Sequence, residues 1–159
     1  MSGKILQEKI TIKDLGEQQL VGFRVLCKGD QYLQEISKAS LNLQHRLKDI
    51  KNVISPDHQI GAFIVDAASE NEDGYWVCVQ VDKYEDIPRD MVTLTVPQQK
   101  YAVITHEGPN YEIKNSYETL HQGILQNNYQ RALNKWHLEL FLEFENKNHL
   151  MVQLFDTIL

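Results

Sequence analysis

The strand-like run Trp136-His137-Leu138-Glu139-Leu140-Phe141-Leu142-Glu143 places a carboxylate among apolar residues. Side chains of a strand alternate between faces, so Leu138, Leu140 and Leu142 share one face and His137, Glu139, Phe141 and Glu143 the other. Glu139 therefore stands mid-strand beside an aromatic ring. Either its face meets solvent, or the carboxylate is buried, desolvated and raised in pKa unless a partner compensates. Two kinds of chemistry are open to the buried form. Ringed by aromatic faces, it can hold a cationic ligand; titrating near neutral pH, it can act as a general base or acid. Glu139 is thus the candidate catalytic residue and the first candidate ligand-binding residue.

A second run, Tyr75-Trp76-Val77-Cys78-Val79-Gln80-Val81, alternates in the same way. Tyr75 goes with Val77, Val79 and Val81, and Trp76 with Cys78 and Gln80. Trp76 is a candidate pocket wall, with an aromatic packing role in the core as the alternative. The same two readings apply to Tyr101, Tyr117 and Trp136. Cys27 and Cys78 lie in apolar runs without CxxC spacing and are expected to behave as small hydrophobes, the alternative for Cys78 being a nucleophile with a base nearby in space. His106-Glu107 at a strand end reads as a solvated terminus, with a part in catalysis as the alternative. The six histidines form no HExxH and no cluster with metal-ligand spacing, and there is no glycine-rich phosphate loop or GxSxG elbow, so no metal and no cofactor are expected.

These side chains must be positioned by regular elements. In the first half, Ile10 to Cys27 is strand-like and broken near Gly16 and Gly22, the latter a site for a bulge or a close approach. Asp30 is a plausible N-cap. Beyond it Leu33, Ile36, Ser40, Leu43, Leu47 and Ile50 recur at helical spacing over about five turns. Strands follow over Gln59 to Asp66 and Tyr75 to Val81, joined by the polar loop 69–74. The second half repeats the order. It has a strand over Lys100 to His106, a turn at Gly108-Pro109-Asn110, and a helix stripe of Ile113, Tyr117, Leu120 and Ile124. Strands over Trp136 to Phe144 and Leu150 to Phe155 complete it. The expected fold is therefore α+β, one domain over 1–159. It is a duplicated βαββ unit (about 10–83 and 98–157, with a crossover over 84–97) forming a pseudo-twofold antiparallel sheet with both helices on one face. Neither half alone buries much core, so the seam between them is the expected place for a pocket.

Composition narrows the partners. The chain has 159 residues, 42% hydrophobic and 24% charged, with a formal net charge of −6. Such a chain suits one globular core. No basic stripe is available to neutralise phosphates; Arg46, Lys48 and Lys51, interrupted by Asp49, read as a solvated helix face. Direct nucleic-acid binding is not expected. Nor is a membrane span, for want of an 18-residue apolar run. The first residues carry no apolar signal core, so the expected location is cytoplasmic.

Four motifs in order resemble the GyrI-like small-molecule-binding domain, the effector-binding domain of AraC-type and multidrug-responsive MerR-type regulators. Tyr75 to Val81 is similar to the family's aromatic strand. Asp86-Ile87-Pro88-Arg89-Asp90-Met91 with Leu94-Thr95-Val96-Pro97 resembles its "P-x-G-M … V-P" crossover. Lys100 to Gly108 resembles "Y-A-V-F-x-H-x-G", and Leu138-Glu139-Leu140-Phe141 resembles "F-E-x-Y". The resemblance implies a ligand cleft at the seam with Glu139 among aromatics, Trp76 or Tyr75 from the aromatic strand, and Phe141 after the glutamate; Tyr101 joins the candidate set. It departs at Phe141, which lacks the family's tyrosine hydroxyl, at Arg89-Asp90, which replaces a glycine, and at Cys78, where glycine is frequent. It implies a stand-alone module for a small lipophilic or cationic ligand, related to transcription-regulation effector-binding proteins. Two alternatives stay open. One is a hydrolase of a small electrophile with Glu139 as general base; the other is a protein-interaction module similar to the gyrase-inhibitor members, with a protein partner.

Overall fold

The computed structural model describes residues 10–159. Eight strands alternate with two helices: β1 (Thr11–Leu15), β2 (Gln18–Val25), α1 (Tyr32–His45), β3 (Gln59–Ile64), β4 (Tyr75–Val81), β5 (Val92–Val96), β6 (Gln99–Gly108), α2 (Ile113–Gln126), β7 (Trp136–Glu143) and β8 (Leu150–Ile158). All eight join one antiparallel sheet in the order β1-β6-β8-β7-β3-β4-β2-β5. The duplicated strand–helix–strand–strand order expected from sequence is present. β2-α1-β3-β4 forms one half and β6-α2-β7-β8 the other, and the halves meet where β3 pairs with β7.

Each half is also preceded by a five-residue strand that pairs with the other half. β1 lies against β6, and β5, inside the expected crossover 84–97, lies against β2. The connections are short: Gly16-Glu17 joins β1 to β2, and Pro97-Gln98 joins β5 to β6. Each links strands six places apart in the sheet. On a flat sheet that distance is about 29 Å at ~4.8 Å per strand. The three Cα–Cα steps across such a link span at most about 11 Å. The sheet must therefore curl until its edges approach. Side chains from opposite edges accordingly share one core: Leu20 of β2 and Val96 of β5 cluster with Tyr101 and Val103 of β6, and with Trp76, Leu138 and Phe155. Among the described residues no helix covers this concave face. Gly22 permits the tight β2–β4 approach, because a Cβ there would stand 2.0 Å from the Val77 carbonyl oxygen.

Both helices pack on the convex face. α1 covers Val21, Val77 and Val79 through Leu43, and α2 covers Ala102, Ile104, Val152 and Leu154 through Leu120 and Ile124. Complete burial of a leucine such as Leu120 contributes roughly 1.5–3 kcal/mol. The expected five-turn first helix is shorter. α1 stops at His45, and a single 3-10 turn at Leu47–Asp49 carries the stripe on to buried Ile50. Asp30 lies in a 3-10 turn and does not cap α1, whose N-cap is Gln31 with no side-chain hydrogen bond. Leu33, assigned to the core stripe, is 66% exposed, because it faces an open cleft and not the sheet.

Candidate functional site

A convex sheet splays the elements that ride on it. Between α1 and the β7–β8 hairpin this leaves a cleft of about 500 Å³. Leu33, Ile36 and Leu41 of α1 form one wall, Phe144, Lys147 and Leu150 the other, and Gly61, Tyr75, Val77 and Phe141 the floor. Polar groups in the walls are mostly paired with one another. Ser40 donates to Gln59 Oε1 at 2.6 Å, Gln59 Nε2 donates back to the Ser40 carbonyl at 3.0 Å, and Gln44 reaches across to Glu145 at 3.3 Å. The surface left for a guest is largely apolar.

Glu139 lies at the seam just behind this floor. The β3–β7 register sets Glu139 opposite Gly61, and the β3–β4 register sets Gly61 opposite Val77, so Tyr75 falls on the same convex face. The Tyr75 hydroxyl donates to Glu139 Oε1 at 2.5 Å, and the Tyr117 hydroxyl, from α2, donates to Oε2. Tyr75 reaches the carboxylate by passing over Gly61, where a Cβ would stand 1.7 Å from its hydroxyl oxygen. Burial pushes the Glu139 pKa up, and the hydrogen bonds from Tyr117 and Tyr75 draw it part of the way back. Burial, then the carboxylate's charge, raise both tyrosines well above 10, so both hydroxyls keep their protons and act as donors. Among the described residues no cation pairs with Glu139.

A second carboxylate lies close by. Asp156 of β8 is fully buried; His137 Nδ1 lies 2.9 Å from its Oδ1, and Arg131 Nε and His121 Nε2 of α2 each lie 2.9 Å from its Oδ2. Burial alone would raise the Asp156 pKa; the hydrogen bond and charge of His137, with Arg131, hold it below the usual carboxylate range. His137 Nε2 also contacts the Ala132 carbonyl at 3.1 Å, and the Phe63 ring stacks between His137 and Tyr75, at 5.7 and 5.9 Å.

Of the candidate residues, the structure brings together Glu139, Tyr75 and Phe141 and separates Trp76 and Tyr101 from them. Trp76 follows Tyr75 and so faces the concave side, where it is buried edge-on against Trp136 at 5.0 Å under the Arg24 guanidinium. Tyr101 is fully buried on that same side, its hydroxyl accepting from Gln99 at 2.8 Å. Cys78 is also buried there, and desolvation raises its thiol pKa well above the usual range, so it is an inert apolar filler. His106 is not a solvated terminus. It is buried, with Ser116 Oγ at 2.7 Å and the Pro109 carbonyl at 3.0 Å, and ties β6 to the start of α2. Arg46 and Lys51 are bound to Asp49, Asp90 and Asp86. Among the described residues no group of three His, Cys, Asp or Glu side chains is placed so that it could hold a metal ion, and no helix is long and apolar enough to cross a membrane.

The model of the integron-associated effector binding protein family matches residues 11–155. No curated protein matches the chain. Among solved structures, the EcmrR chain of an EcmrR–DNA complex matches with a TM-score of 0.73 at 14% identity, over 98% of this chain and 59% of that one. SAV2435 bound to tetraphenylphosphonium matches with a TM-score of 0.71 at 17% identity, over 96% and 94%. An integron cassette protein of Vibrio cholerae matches with a TM-score of 0.52 at 13% identity, over 96% and 97%. At these identities the structural matches speak for a shared fold.

Proposed function

We propose, from the premise that this chain belongs to the integron-associated effector-binding protein family, that it binds a small lipophilic cation in the cleft between its halves and serves as an effector-binding module. The carrying observation is the set of partners of Glu139. Its carboxylate is desolvated and, among the described residues, held by two neutral hydroxyl donors, behind an apolar floor. Neutral donors fix the geometry of the carboxylate without cancelling its charge. In a medium of low dielectric that charge favours a cation that is weakly hydrated to begin with, since little hydration is then lost on entry. The rings of Tyr75 and Phe141 add surface and cation–π attraction. The tetraphenylphosphonium held by the similarly folded SAV2435 is a cation of this class. A regulatory setting in the cytoplasm is the one this role implies, with a protein partner, rather than this chain, contacting DNA.

Calorimetric titration with tetraphenylphosphonium tests the proposal. Binding to the native protein is expected, with a loss of about tenfold or more in affinity for Glu139→Gln, equivalent to at least ~1.4 kcal/mol. No binding, or equal affinity for the variant, would sink it. Turnover of a small electrophile that vanishes in the same variant would move the reading to hydrolysis, which needs the same carboxylate.

A further inference from the structure

The concave face has its own opening. Beside the Gly16-Glu17 link, at the mouth of the curled sheet, lies a second cavity of about 380 Å³. It is separated from the cleft by the sheet itself, and the mouth of a curled sheet is a favoured place for a ligand. Its floor is apolar: Ile60, Leu138 and Phe155 are each at most 7% exposed. Hydrogen-bond donors around this floor come from Gln80 and Gln153 and, where the floor meets the Gly16-Glu17 link, from Lys13 and Gln18. Lys13 of β1 sets its ammonium 5.9 Å from the centre of the Phe155 ring, and among the described residues no carboxylate pairs with it. Gln18, the first residue of β2, is only 8% exposed, and among the described residues its side-chain Nε2 has no hydrogen-bond partner. A buried amide N–H without an acceptor costs free energy until something supplies one. Glu17, the one acidic residue at this cavity among the described residues, is exposed, with water to screen it.

We propose that this cavity is a binding site for a small apolar monocarboxylate. The carboxylate lies between the Lys13 ammonium and the Gln18 amide, and an aliphatic or aromatic tail lies on Ile60, Leu138 and Phe155. The acid supplies the acceptor that Gln18 lacks and the counter-charge that Lys13 lacks, and its tail fills apolar space that polar solutes would leave wet. The site rests on the opposite sheet face from Glu139 and does not depend on the reading of the cleft.

The test is a titration of the full chain with octanoate, with octanol as the neutral analogue of equal length, followed by melting temperature and calorimetry. Saturable binding of octanoate is expected, with octanol at least about tenfold weaker. Lys13→Met is expected to abolish the difference between the two, and Gln18→Leu to weaken octanoate, while Glu139→Gln leaves octanoate binding unchanged. Lys13 is half-buried at the sheet edge, so Lys13→Met is expected to fold; its unchanged melting temperature without ligand checks this. Absence of saturable octanoate binding, equal affinity for octanol, or a preference for octanoate over octanol that survives Lys13→Met would overturn the proposal. So would octanoate binding lost in Glu139→Gln, which would place the acid in the cleft.

Discussion

At Glu139, desolvation and hydrogen bonding act in opposite directions, and desolvation is the larger. A carboxylate whose pKa is raised on folding binds its proton more tightly in the native state than in the unfolded one. Stability from this residue therefore falls as pH rises from the ordinary value of 4.5 through the native value, and then levels off. Glu139→Gln removes the ionisation and keeps a side-chain oxygen for a tyrosine hydroxyl. The variant is expected to melt with the native protein below pH 4.5 and above it at pH 7, by roughly 2–4 °C for each ~1 kcal/mol recovered. Melting curves across that range check the sign, and a variant less stable at pH 7 would contradict the assignment. The candidacy of this residue was legible from alternation alone, which put Glu139 with Phe141 on one face. Its two donors were not. Tyr75 lies 64 positions away and Tyr117 22 positions away, and only strand register and helix packing bring them to it.

Among the elements, the decisive contact is β3 against β4 and β7, where the two halves join. Gly61 sits at the crossing, and its missing side chain is the space Tyr75 occupies. Gly61→Ala is expected to displace the Tyr75 ring, break its bond to Glu139 and cost about 1–3 kcal/mol, as overpacking does. Chemical denaturation measures the cost, and tetraphenylphosphonium affinity should fall with it. The strand–helix–strand–strand repeat was readable from periodicity, because each element carries its own pattern. The strand exchange was not. β1 and β5 are only five residues each, and a short strand announces neither its partner nor its half of the molecule. Trp76 and Tyr101 were misplaced for a related reason. Alternation says that Tyr75 and Trp76 oppose one another, but only the register with β3 and β7 says which of them shares a face with Glu139.

For the molecule as a whole, Asp156 gathers side chains from several segments: His121 from α2, Arg131 from the connection after it, and His137 from β7. Removing a fully buried carboxylate leaves these groups facing one another unpaired. Asp156→Ala is expected to cost about 3–5 kcal/mol, a large share of a domain's total stability. Because folding lowers this pKa, the stabilisation is complete above the unfolded value of 3.8 and is lost as pH falls through the native value. Denaturation of native and variant protein should therefore differ widely at pH 7 and converge in strong acid. The curl of the sheet has a consequence at this scale too. Gly16-Glu17 and Pro97-Gln98 tether opposite margins with covalent bonds, so the curvature that parts α1 from the hairpin is inextensible on one side. Narrowing the cleft would flatten the sheet and part margins that two short links hold together, whereas widening it would only bend the sheet tighter. The cleft accordingly has a least bore, and a guest of the proposed class more slender than that bore should be gripped on one wall only.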